Sequence, residues 1–426
     1  MNNFFDWLDS HFAQPLSKIS EQRHLRAIRD GVVSAIPLII VGSFFLIIAM
    51  PPIPENWGFH VWATQHIQQI MIPYRMTFWI MSLYICFGIG YNLAKSYKLD
   101  PLAGAQLSVA AFLLSIMPII KKTGEILLPM ASLGSVGIFP CMLLAIFSVE
   151  ILRFCKTHNL VFKMPEQVPS SVAHSFEAII PAGIIVIIMT LINVVFKINL
   201  EVLIQNIFSP LVKAGDTLGG VIVPVILVVF FWFFGIHGDS IVGSVARPIW
   251  LQYFSENAEK MSHGLQPTHI APETFFQWFV WIGGSGATIG LIIAALCIGK
   301  SKYTKSITRA SLVPCIFNIN EPIIFGFPVM LNPVFLIPFI LAPVVMTLVT
   351  WFTFKLGWVH MMFVQPPWTL PAPIGAFLAT GGDWRAIVLC VVDILIATLI
   401  YWPFVMMYDK QELAKEQEDI PDGQNA

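Results

Sequence analysis

The sequence predicts an all-α integral membrane protein with about ten transmembrane helices, two re-entrant hairpins and an amphipathic surface helix. Of its 426 residues, 56% are apolar and only 12% are charged. Soluble domains carry about 25% charged residues, so a chain with half that proportion is expected to be covered by lipid. The 34 Phe and 13 Trp residues also favour a protein with membrane–water interfaces.

Runs of about 20 mostly apolar residues mark the candidate spans. Nine runs qualify, at residues 31–50, 77–94, 102–120, 134–154, 176–197, 219–235, 276–298, 332–354 and 386–408. A further stretch, Ser240 to Phe254, contains Arg247 and is less apolar. If this stretch also crosses, the chain has ten spans and both termini lie in the cytoplasm.

The distribution of Lys and Arg favours this orientation. In the first half, nine basic residues fall in the predicted cytoplasmic segments and three in the external loops, as expected for a cytoplasmic N-terminus. The cluster from Lys300 to Arg309 is also cytoplasmic if the stretch 240–254 crosses. No small-residue cleavage site precedes the first apolar run, so no cleavable signal peptide is expected. We therefore predict a multi-pass protein of the bacterial inner membrane.

Two apolar stretches do not resemble simple spans. Ala310 to Phe327 contains Asn, Glu and Pro, and Met362 to Thr380 contains four prolines and a glycine. Proline removes a backbone donor and breaks helices, and irregular backbone at membrane depth survives only against protein or a wet cavity. Both stretches are predicted to be re-entrant hairpins, which commonly form the substrate sites of transporters.

Asn199 to Gly215 has the apolar periodicity of an amphipathic helix lying on the membrane surface. It separates the two predicted halves of the protein. The polar segment after residue 408 predicts a loosely ordered cytoplasmic tail. The predicted domains are a transmembrane half with dimer contacts, a connector, a transmembrane half with the site, and the tail, at residues 1–198, 199–218, 219–408 and 409–426.

Several classes of function are excluded by what the sequence lacks. The net charge of −1 does not provide the basic footprint that nucleic acid requires. The six cysteines have no paired spacing and indicate neither a disulfide framework nor a metal site. No phosphate-binding loop, dinucleotide fingerprint or hydrolase elbow is present, so no cofactor is expected. Any phosphate donor must come from a partner protein.

The polar side chains within apolar segments are the candidate site residues, because such groups are costly in a membrane and usually face a cavity. Glu321 follows Asn318 and Asn320 and precedes Pro322, which disfavours a helical residue before it. The segment is therefore predicted to be a hairpin tip that presents a carboxylate and two amides. Such a cluster suits a polyhydroxylated ligand. A structural carboxylate bound to a neighbouring group is the alternative.

His237 lies between Gly235 and Gly238, where the backbone can turn or approach a ligand closely. Its imidazole can accept a proton near neutral pH, although an interfacial histidine at a helix end would need no function. Trp232 and Trp368 offer aromatic faces that suit the C–H faces of pyranose rings. Membrane-interface tryptophans are common, so an anchoring role stays open for both.

Three motifs together resemble a known family. They are QRHLRAIRDG (Gln22 to Gly31), GIHGD (Gly235 to Asp239) and FNINEPIIFGFPVMLNP (Phe317 to Pro333). Their combination is similar to the membrane IIC component, or EIIC permease, of the phosphoenolpyruvate-dependent sugar phosphotransferase system. The resemblance runs over essentially the whole chain and is greatest for the lactose/cellobiose/diacetylchitobiose branch.

The resemblance implies a homodimeric permease whose C-terminal half holds a disaccharide. It also implies a IIB protein, separate from this chain, whose phosphocysteine donates the phosphoryl group to the 6-hydroxyl of the sugar. Glu321 and His237 correspond to the glutamate and histidine beside that hydroxyl. Asn320, Trp232 and Trp368 are implied to line the same pocket, and the amide of Asn318 is a further candidate for binding sugar.

The predicted function is translocation of a disaccharide of the cellobiose or diacetylchitobiose class, coupled to its phosphorylation. The alternative is a cation-coupled sugar symporter that performs no chemistry and uses Glu321 and Asp239 as ion sites. A passive channel or docking receptor is a third possibility. The sequence leaves open which disaccharide is carried and which of Glu321 and His237 acts as the base.

Overall fold

The computed structural model describes residues 22–51, 53, 56–162, 176–327, 329–330 and 332–418. Within these ranges the chain is almost entirely helical, which confirms the predicted all-α class. The predicted cytoplasmic segment before residue 22 and the last eight residues of the predicted tail lie outside the described residues.

The first half contains eight α-helices and one short hairpin among its described residues. The helices are α1 (Arg23–Ala49), α2 (Gly58–Gln65), α3 (Ile67–Thr77), α4 (Met81–Ser96), α5 (Pro101–Ser115), α6 (Met130–Leu133), α7 (Ile138–Thr157) and α8 (Ile179–Thr190). Short 3₁₀ turns precede α4 and α7, and a π turn, Leu191–Val195, extends α8. Strands β1 (Ile119–Ile120) and β2 (Ile126–Leu127) pair antiparallel.

The second half continues the helical architecture with more interruptions. Its helices are α9 (Leu200–Gly215), α10 (Leu218–Phe233), α11 (Gly238–Ser262), α12 (Glu273–Phe275), α13 (Thr288–Ile298), α14 (Lys302–Ile316), α15 (Glu321–Gly326), α16 (Pro333–Lys355), α17 (Ala372–Ala379) and α18 (Trp384–Glu418). A π turn, Phe276–Val280, continues α12.

Five helical stretches are long and apolar enough to cross a membrane by length and composition. Within the described ranges they are Arg23–Ala49, Ile67–Ser96, Ser135–Thr157, Val334–Lys355 and Trp384–Gln417. A sixth is possible if α8 with its π turn and α9 count as one broken span. Shorter apolar helices occur at Pro101–Ser115, Leu218–Phe233 and Thr288–Ile298. The count of ten spans stays a prediction.

The amphipathic helix predicted at Asn199 to Gly215 is confirmed as α9. It begins with the Asn199 side chain accepting a hydrogen bond from Val202 N at 3.1 Å, and it lies at 86° to the preceding helix. Phe208 stacks on Phe139 of α7, with ring centroids 4.3 Å apart, whereas Ile207 is exposed. Its apolar surface is therefore divided between the protein core and the outside.

Two predicted spans are wrong as continuous helices. The run 276–298 is interrupted at residues 281–287, because its glycines adopt left-handed conformations that a helix does not contain. The run 102–120 is helical only to Ser115. Met117 precedes Pro118, which disfavours the helical conformation, and the chain then enters β1.

Both predicted hairpins contain chain reversals. The first passes from α14 through a turn into the short helix α15. In the second, Phe363 N and Val364 N donate to Ala379 O at 3.0 and 3.2 Å, which ties an extended segment to the end of α17. Their depth in a membrane stays a prediction.

The prediction of a loosely ordered tail is wrong for residues 409–418, which continue α18. Asp409 is buried, and its carboxylate accepts hydrogen bonds from Lys300 N at 2.8 Å and Ser301 N at 3.0 Å. Further along, Glu416 accepts from Tyr303 N at 3.0 Å. These acidic side chains bind the start of α14, so polar composition here reflects a docked helix.

The buried apolar residues form two large clusters among the described residues. One is built mainly from residues 28–189 and the other mainly from residues 204–408. Elements of the later half also contact the first cluster, and Ser43 of α1 donates to Gln365 O at 2.9 Å. The two clusters therefore meet along α1.

A buried histidine links three elements of the second half. His269 lies in the loop between α11 and α12, outside the predicted spans. Its Nδ1 lies 3.1 Å from Asp216 and its Nε2 lies 2.7 Å from Glu256. Burial opposes the charge, but the hydrogen bonds to the two carboxylates outweigh it and raise the pKa of His269 to about 9.

This arrangement predicts a stability that falls in alkaline solution. Because the pKa of His269 is raised from 6.5 to about 9, its contribution is complete below pH 6.5 and is lost as the pH rises through 9. The contribution to the free energy of unfolding is at most about 3 kcal/mol. The melting temperature of the detergent-purified protein should fall between pH 6.5 and 9.5, and His269→Gln should flatten this dependence. An equally steep fall in the variant would contradict the assignment.

Candidate functional site

A cavity of about 640 Å³ lies between α1 and the interrupted elements of the second half. This volume is typical of small-molecule sites, which occupy about 300–1,000 Å³. All six predicted site residues line it: Trp232, His237, Asn318, Asn320, Glu321 and Trp368. The structure therefore brings together residues that lie up to 136 positions apart in the sequence. One wall, formed by Val33, Ile36 and Ile40 of α1, is apolar.

The turn between α10 and α11 positions His237. Helix α10 ends in a Schellman motif, in which Ile236 N donates to Phe231 O at 3.0 Å and Gly235 N donates to Trp232 O at 2.9 Å. Gly235 has a φ of +77°, a conformation that glycine adopts without steric cost. The chain then re-enters a helix at once, with His237 as its N-cap.

The side chain of His237 is oriented by the helix that it caps. Its Nδ1 accepts a hydrogen bond from Ser240 N at 3.3 Å, and Ser240 Oγ lies 3.0 Å from the same atom. The ring also packs against Trp232, with centroids 4.6 Å apart. Nδ1 is thus occupied by its own helix, and Nε2 is left for the cavity.

Asp239 acts as an acceptor that holds two other lining residues. Its Oδ2 accepts a hydrogen bond from Trp232 Nε1 at 2.9 Å and another from Ser285 Oγ. The carboxylate therefore fixes the indole ring of Trp232 and ties α11 to the interrupted segment 281–287.

Asn318 connects three separate stretches of backbone. It ends α14 in a left-handed conformation, with φ +62°, which Asn tolerates better than most residues. Its Nδ2 donates to Trp368 O and Leu370 O at 2.9 and 3.0 Å, and its Oδ1 accepts from Gly283 N at 3.0 Å. Both amide hydrogens are used, so this side chain is bound to the protein.

Asn320 holds the same interrupted segment from the other side of the turn. Its Nδ2 donates to Ser285 O at 2.9 Å, and no other hydrogen bond of this side chain is made within the described ranges. Gly284, with φ +102°, packs against this amide so closely that an added Cβ would lie 2.5 Å from Nδ2 of Asn320. Only a glycine fits between the two segments.

Glu321 is the first residue of α15, and Pro322 follows in the first turn, where its missing N–H costs no helical hydrogen bond. The predicted hairpin tip is thus the start of a short helix. The Glu321 carboxylate forms no hydrogen bond or ion pair with any residue that the structure describes. It is therefore available to a ligand. A carboxylate with a purely structural role would be bound to a neighbouring group, and none of the described residues binds this one.

The second hairpin contributes an aromatic face and an amide. Trp368 is half exposed, at 48%, while its backbone is held by Asn318. Gln365, which sequence reasoning missed, is buried at the cavity wall, and its Oε1 has no partner among the described residues. Its only sequence signal is its position beside the two prolines of QPPW.

Sequence reasoning also missed a polar wall formed between α11 and α12. Arg247 donates from Nε to Glu273 at 2.7 Å, and both side chains are largely buried. Gln277 and Trp281 lie beside this pair on the cavity wall. Arg247 stands out in the sequence as a charge within an apolar stretch, but its partner Glu273 lies in a polar segment 26 residues later.

The arrangement can hold a neutral, hydroxyl-rich ligand. It combines tryptophan rings, amides, carboxylates and the imidazole of His237 on the walls of one cavity. Among the residues that the structure describes, no group of three or more His, Cys, Asp or Glu side chains could hold a metal ion.

Comparison with known proteins identifies a family. The family model "Phosphotransferase system, EIIC" matches residues 29–343. The cellobiose-specific EIIC component of Geobacillus stearothermophilus is 39% identical, over 98% of this chain and 97% of that protein. The lactose-specific EIICB component of Streptococcus mutans serotype c is 35% identical, over 94% of this chain and 72% of that longer protein.

The fold is also that of a solved transporter. The crystal structure of ChbC, the IIC component from the N,N'-diacetylchitobiose-specific phosphotransferase system, matches with a TM-score of 0.89 at 37% identity. The match covers 96% of this chain and 99% of that chain.

The contact between Gly284 and Asn320 generates a stability prediction. Gly284→Ala should lower the free energy of unfolding by about 2 kcal/mol or more, because it adds both a clash and a strained φ. Gly183→Ala in α8 is the matched control, since its added Cβ would meet nothing within 4 Å. Melting temperatures in detergent measure both variants. Equal melting temperatures for the two variants would show that the close packing at Gly284 is unimportant.

Proposed function

The chain belongs to the EIIC family of the phosphotransferase system, the multi-pass membrane permeases of that system, and on this premise we propose that it carries a disaccharide into the cell and presents the sugar 6-hydroxyl to a phosphorylated IIB protein. One observation supports this most directly. The carboxylate of Glu321, which has no partner in the part of the chain that the structure describes, and the oriented imidazole of His237 line the same cavity as Trp232 and Trp368.

The proposed substrate class is a β-linked disaccharide of the cellobiose or diacetylchitobiose type. Similar proteins are named for cellobiose, lactose and diacetylchitobiose, all of which are disaccharides. The cavity volume of about 640 Å³ is large enough for two sugar rings. Tryptophan faces and amides supply the apolar and polar contacts that a pyranose requires.

The phosphoryl donor in this proposal is a IIB protein separate from the chain. No phosphate-carrier motif is found in the sequence of this chain. The similar lactose protein, by contrast, is named for EIIC and EIIB components together. In the proposed step the sulfur–phosphorus bond of the IIB phosphocysteine breaks as an oxygen–phosphorus bond forms at the sugar 6-hydroxyl. The hydroxyl proton must pass to a base within hydrogen-bond reach.

We assign the base to Glu321. Its carboxylate has no partner among the described residues, whereas that of Asp239 already accepts from Trp232 and Ser285. A carboxylate with open lone pairs can both orient the hydroxyl and accept its proton. Phosphoryl transfer otherwise depends on positioning and electrostatics, which the fixed turns of α10–α11 and α14–α15 supply.

His237 is assigned the role of hydrogen-bond donor. Its Nδ1 accepts a backbone N–H from Ser240, so the hydrogen of the neutral ring is on Nε2. A ring in this tautomer donates to an oxygen of the sugar or of the incoming phosphoryl group. It cannot accept a proton at Nε2 without first losing the one it carries.

The remaining predicted residues divide into two roles. Trp232, Trp368 and Asn320 are proposed to contact the sugar. Asn318 is proposed to hold other residues in place and not to contact the sugar, because its amide hydrogens already bind Trp368 O and Leu370 O. It keeps the two hairpins together around the ligand.

The proposed assembly is a homodimer of ten-span protomers with both termini in the cytoplasm and α9 on the membrane surface. The distribution of Lys and Arg supports this orientation. The 86° bend before α9 and its exposed Ile207 and Leu211 support a helix lying in the interface. Phosphorylation would retain the sugar inside, since a doubly charged product does not cross an apolar barrier.

The function is tested with inside-out vesicles that contain the protein. With cellobiose, phospho-IIB and its phosphate-supplying proteins, these vesicles should form cellobiose phosphate. Vesicles without IIB should form none. Accumulation of free sugar driven by a membrane potential, without any sugar phosphate, would instead support the cation-coupled alternative.

Glu321→Gln should reduce the phosphorylation rate by about a hundredfold or more, because the amide cannot accept the proton. Sugar binding in the absence of IIB should change much less, since the amide keeps the size and polarity of the site. Glu125→Gln is the matched control, because Glu125 is exposed on the β1–β2 hairpin and its ion pair is with Lys121 of the same hairpin. A Glu321→Gln protein with the wild-type rate would remove the catalytic assignment.

Two substitutions at His237 distinguish a donor from a base. If Nε2 donates, His237→Gln should retain more phosphorylation activity than His237→Ala, because the glutamine amide supplies an N–H. If the ring is a base, both variants should lose activity equally. His158→Ala, at the exposed end of α7, controls for the loss of an imidazole elsewhere. The measurement is the initial rate of sugar phosphate formation at saturating phospho-IIB.

A further inference from the structure

The loop formed by residues 283–286 interrupts the predicted span 276–298 and is held by hydrogen bonds along its whole length. All four of its carbonyl oxygens accept a hydrogen bond. The last of them, Gly286 O, accepts from the hydroxyl of Tyr401 in α18 at 2.7 Å. Gly286 has a φ of +84°, and an added Cβ there would clash with the ring of Phe339 in α16. The loop is therefore pressed against α16 and tied to α18.

Within this loop, Ser285 is bonded to both sides of the proposed transfer site. Its Oγ donates to the carboxylate of Asp239, which lies two residues after His237 in the first turn of α11. Its carbonyl oxygen accepts from Nδ2 of Asn320 at 2.9 Å, and Asn320 directly precedes Glu321. Ser285 is thus a shared partner of the two segments that carry the imidazole and the carboxylate.

Tyr401 supports this loop from outside the cavity. Its side chain is completely buried and is not one of the residues that line the cavity. Helix α18 packs firmly beside the loop, because Gly290 of α13 lies so close to Ala397 that an added Cβ would clash. Ala397 is about one helical turn before Tyr401. Any effect of the Tyr401 hydroxyl on a bound sugar must therefore pass through Gly286 and the loop.

The hydroxyl matters because its acceptor has no other partner. No other residue that the structure describes donates to Gly286 O. A buried carbonyl without a hydrogen bond is costly, and a loop with three glycines can rotate its peptide groups to find a new donor. Such a rotation would displace Ser285, and with it the contacts to Asp239 and Asn320.

We propose that Tyr401 is a positioning residue for the transfer step, which acts through Ser285 to keep Glu321 and His237 in place around the reacting hydroxyl. The inference rests on the proposed function and adds a residue of α18 that does not touch the sugar. Phosphoryl transfer depends mainly on positioning, and a displacement of about 1 Å can slow a reaction about a hundredfold. Sugar binding is shared among many contacts and is less sensitive to the placement of one pair.

Tyr401→Phe tests the proposal, because it removes the hydroxyl and keeps the ring. The kcat for cellobiose phosphate formation, at saturating cellobiose and phospho-IIB, should fall about tenfold or more. The Kd for radiolabelled cellobiose, measured without IIB, should stay within about threefold of wild type, because the loss acts on the transition state.

Tyr253→Phe in α11 is the matched control. The Tyr253 hydroxyl also donates to a backbone carbonyl, Val212 O, and its side chain is also completely buried. This bond joins α11 to α9, away from the loop. The control should lower the melting temperature in detergent about as much as Tyr401→Phe does and leave the kcat unchanged. A role in stability alone predicts the same pattern for both variants.

A double-mutant cycle identifies the group that Tyr401 positions. In a Glu321→Gln background, Tyr401→Phe should slow phosphorylation by less than about threefold, because the carboxylate whose place it fixes is already gone. In a His158→Ala background, Tyr401→Phe should keep its full effect. Ser285→Ala should reproduce the loss of kcat, and Ser285→Thr, which keeps a hydroxyl, should retain more activity.

The outcomes separate this inference from the proposed function. A folded Tyr401→Phe protein with the wild-type kcat, or one whose effect is undiminished in the Glu321→Gln background, overturns the positioning role and leaves the function in place. If Tyr401→Phe does not fold, equal kcat values for Ser285→Ala and Ser285→Thr overturn it. A wild-type protein that forms no sugar phosphate with phospho-IIB overturns the proposed function, and this inference with it. A selective loss of kcat that disappears in the Glu321→Gln background supports both.

Discussion

The site depends on how the protein satisfies backbone groups that are not part of helices. Peptide groups at membrane depth have no water to bind, and each one left unpaired costs several kcal/mol. Here two asparagine amides replace the missing helical partners. Asn318 binds Gly283, Trp368 and Leu370, and Asn320 binds Ser285. These amides also set where Glu321 stands relative to the segment 281–287, which Ser285 ties to Asp239, two residues after His237. The fold and the chemistry therefore share the same hydrogen bonds.

Much of the architecture was readable from the periodicity and length of apolar runs, since lipid imposes a strong requirement on both. The predictions that were wrong, for residues 276–298 and 409–418, failed for local physical reasons. The run 276–298 is apolar enough for a span, but its residues 283–286 (GGSG) form a turn. This bent backbone is stabilised by hydrogen bonds with the side chains of Asn318 and Asn320. In 409–418 the acidic residues predict a solvated tail, but Asp409 and Glu416 accept hydrogen bonds from Lys300 N before α14 and from Tyr303 N in its first turn. Tertiary partners of this kind leave no mark in local composition.

The residues of the cavity also fall into two groups: those that the sequence reveals and those that only the fold reveals. Glu321 and His237 were recognisable because a charged or titratable group inside an apolar run is costly and needs a reason. Glu273, Gln277 and Gln365 stand in segments where polar residues are ordinary, so only the fold reveals that they face the same space. The sequence also leaves open whether Glu321 or His237 accepts the proton of the sugar hydroxyl. The hydrogen bond from Ser240 to His237 Nδ1 provides the basis for assigning different roles to the two side chains.

The length of α18 has a mechanical consequence. Its 35 residues extend about 52 Å, whereas the hydrocarbon core of a bilayer is about 30 Å thick. About 20 Å of this rod must therefore stand in the headgroups or beyond them. Asp409 accepts hydrogen bonds from Lys300 N and Ser301 N, so the polar end of α18 and the start of α14 are held together and must move as one unit.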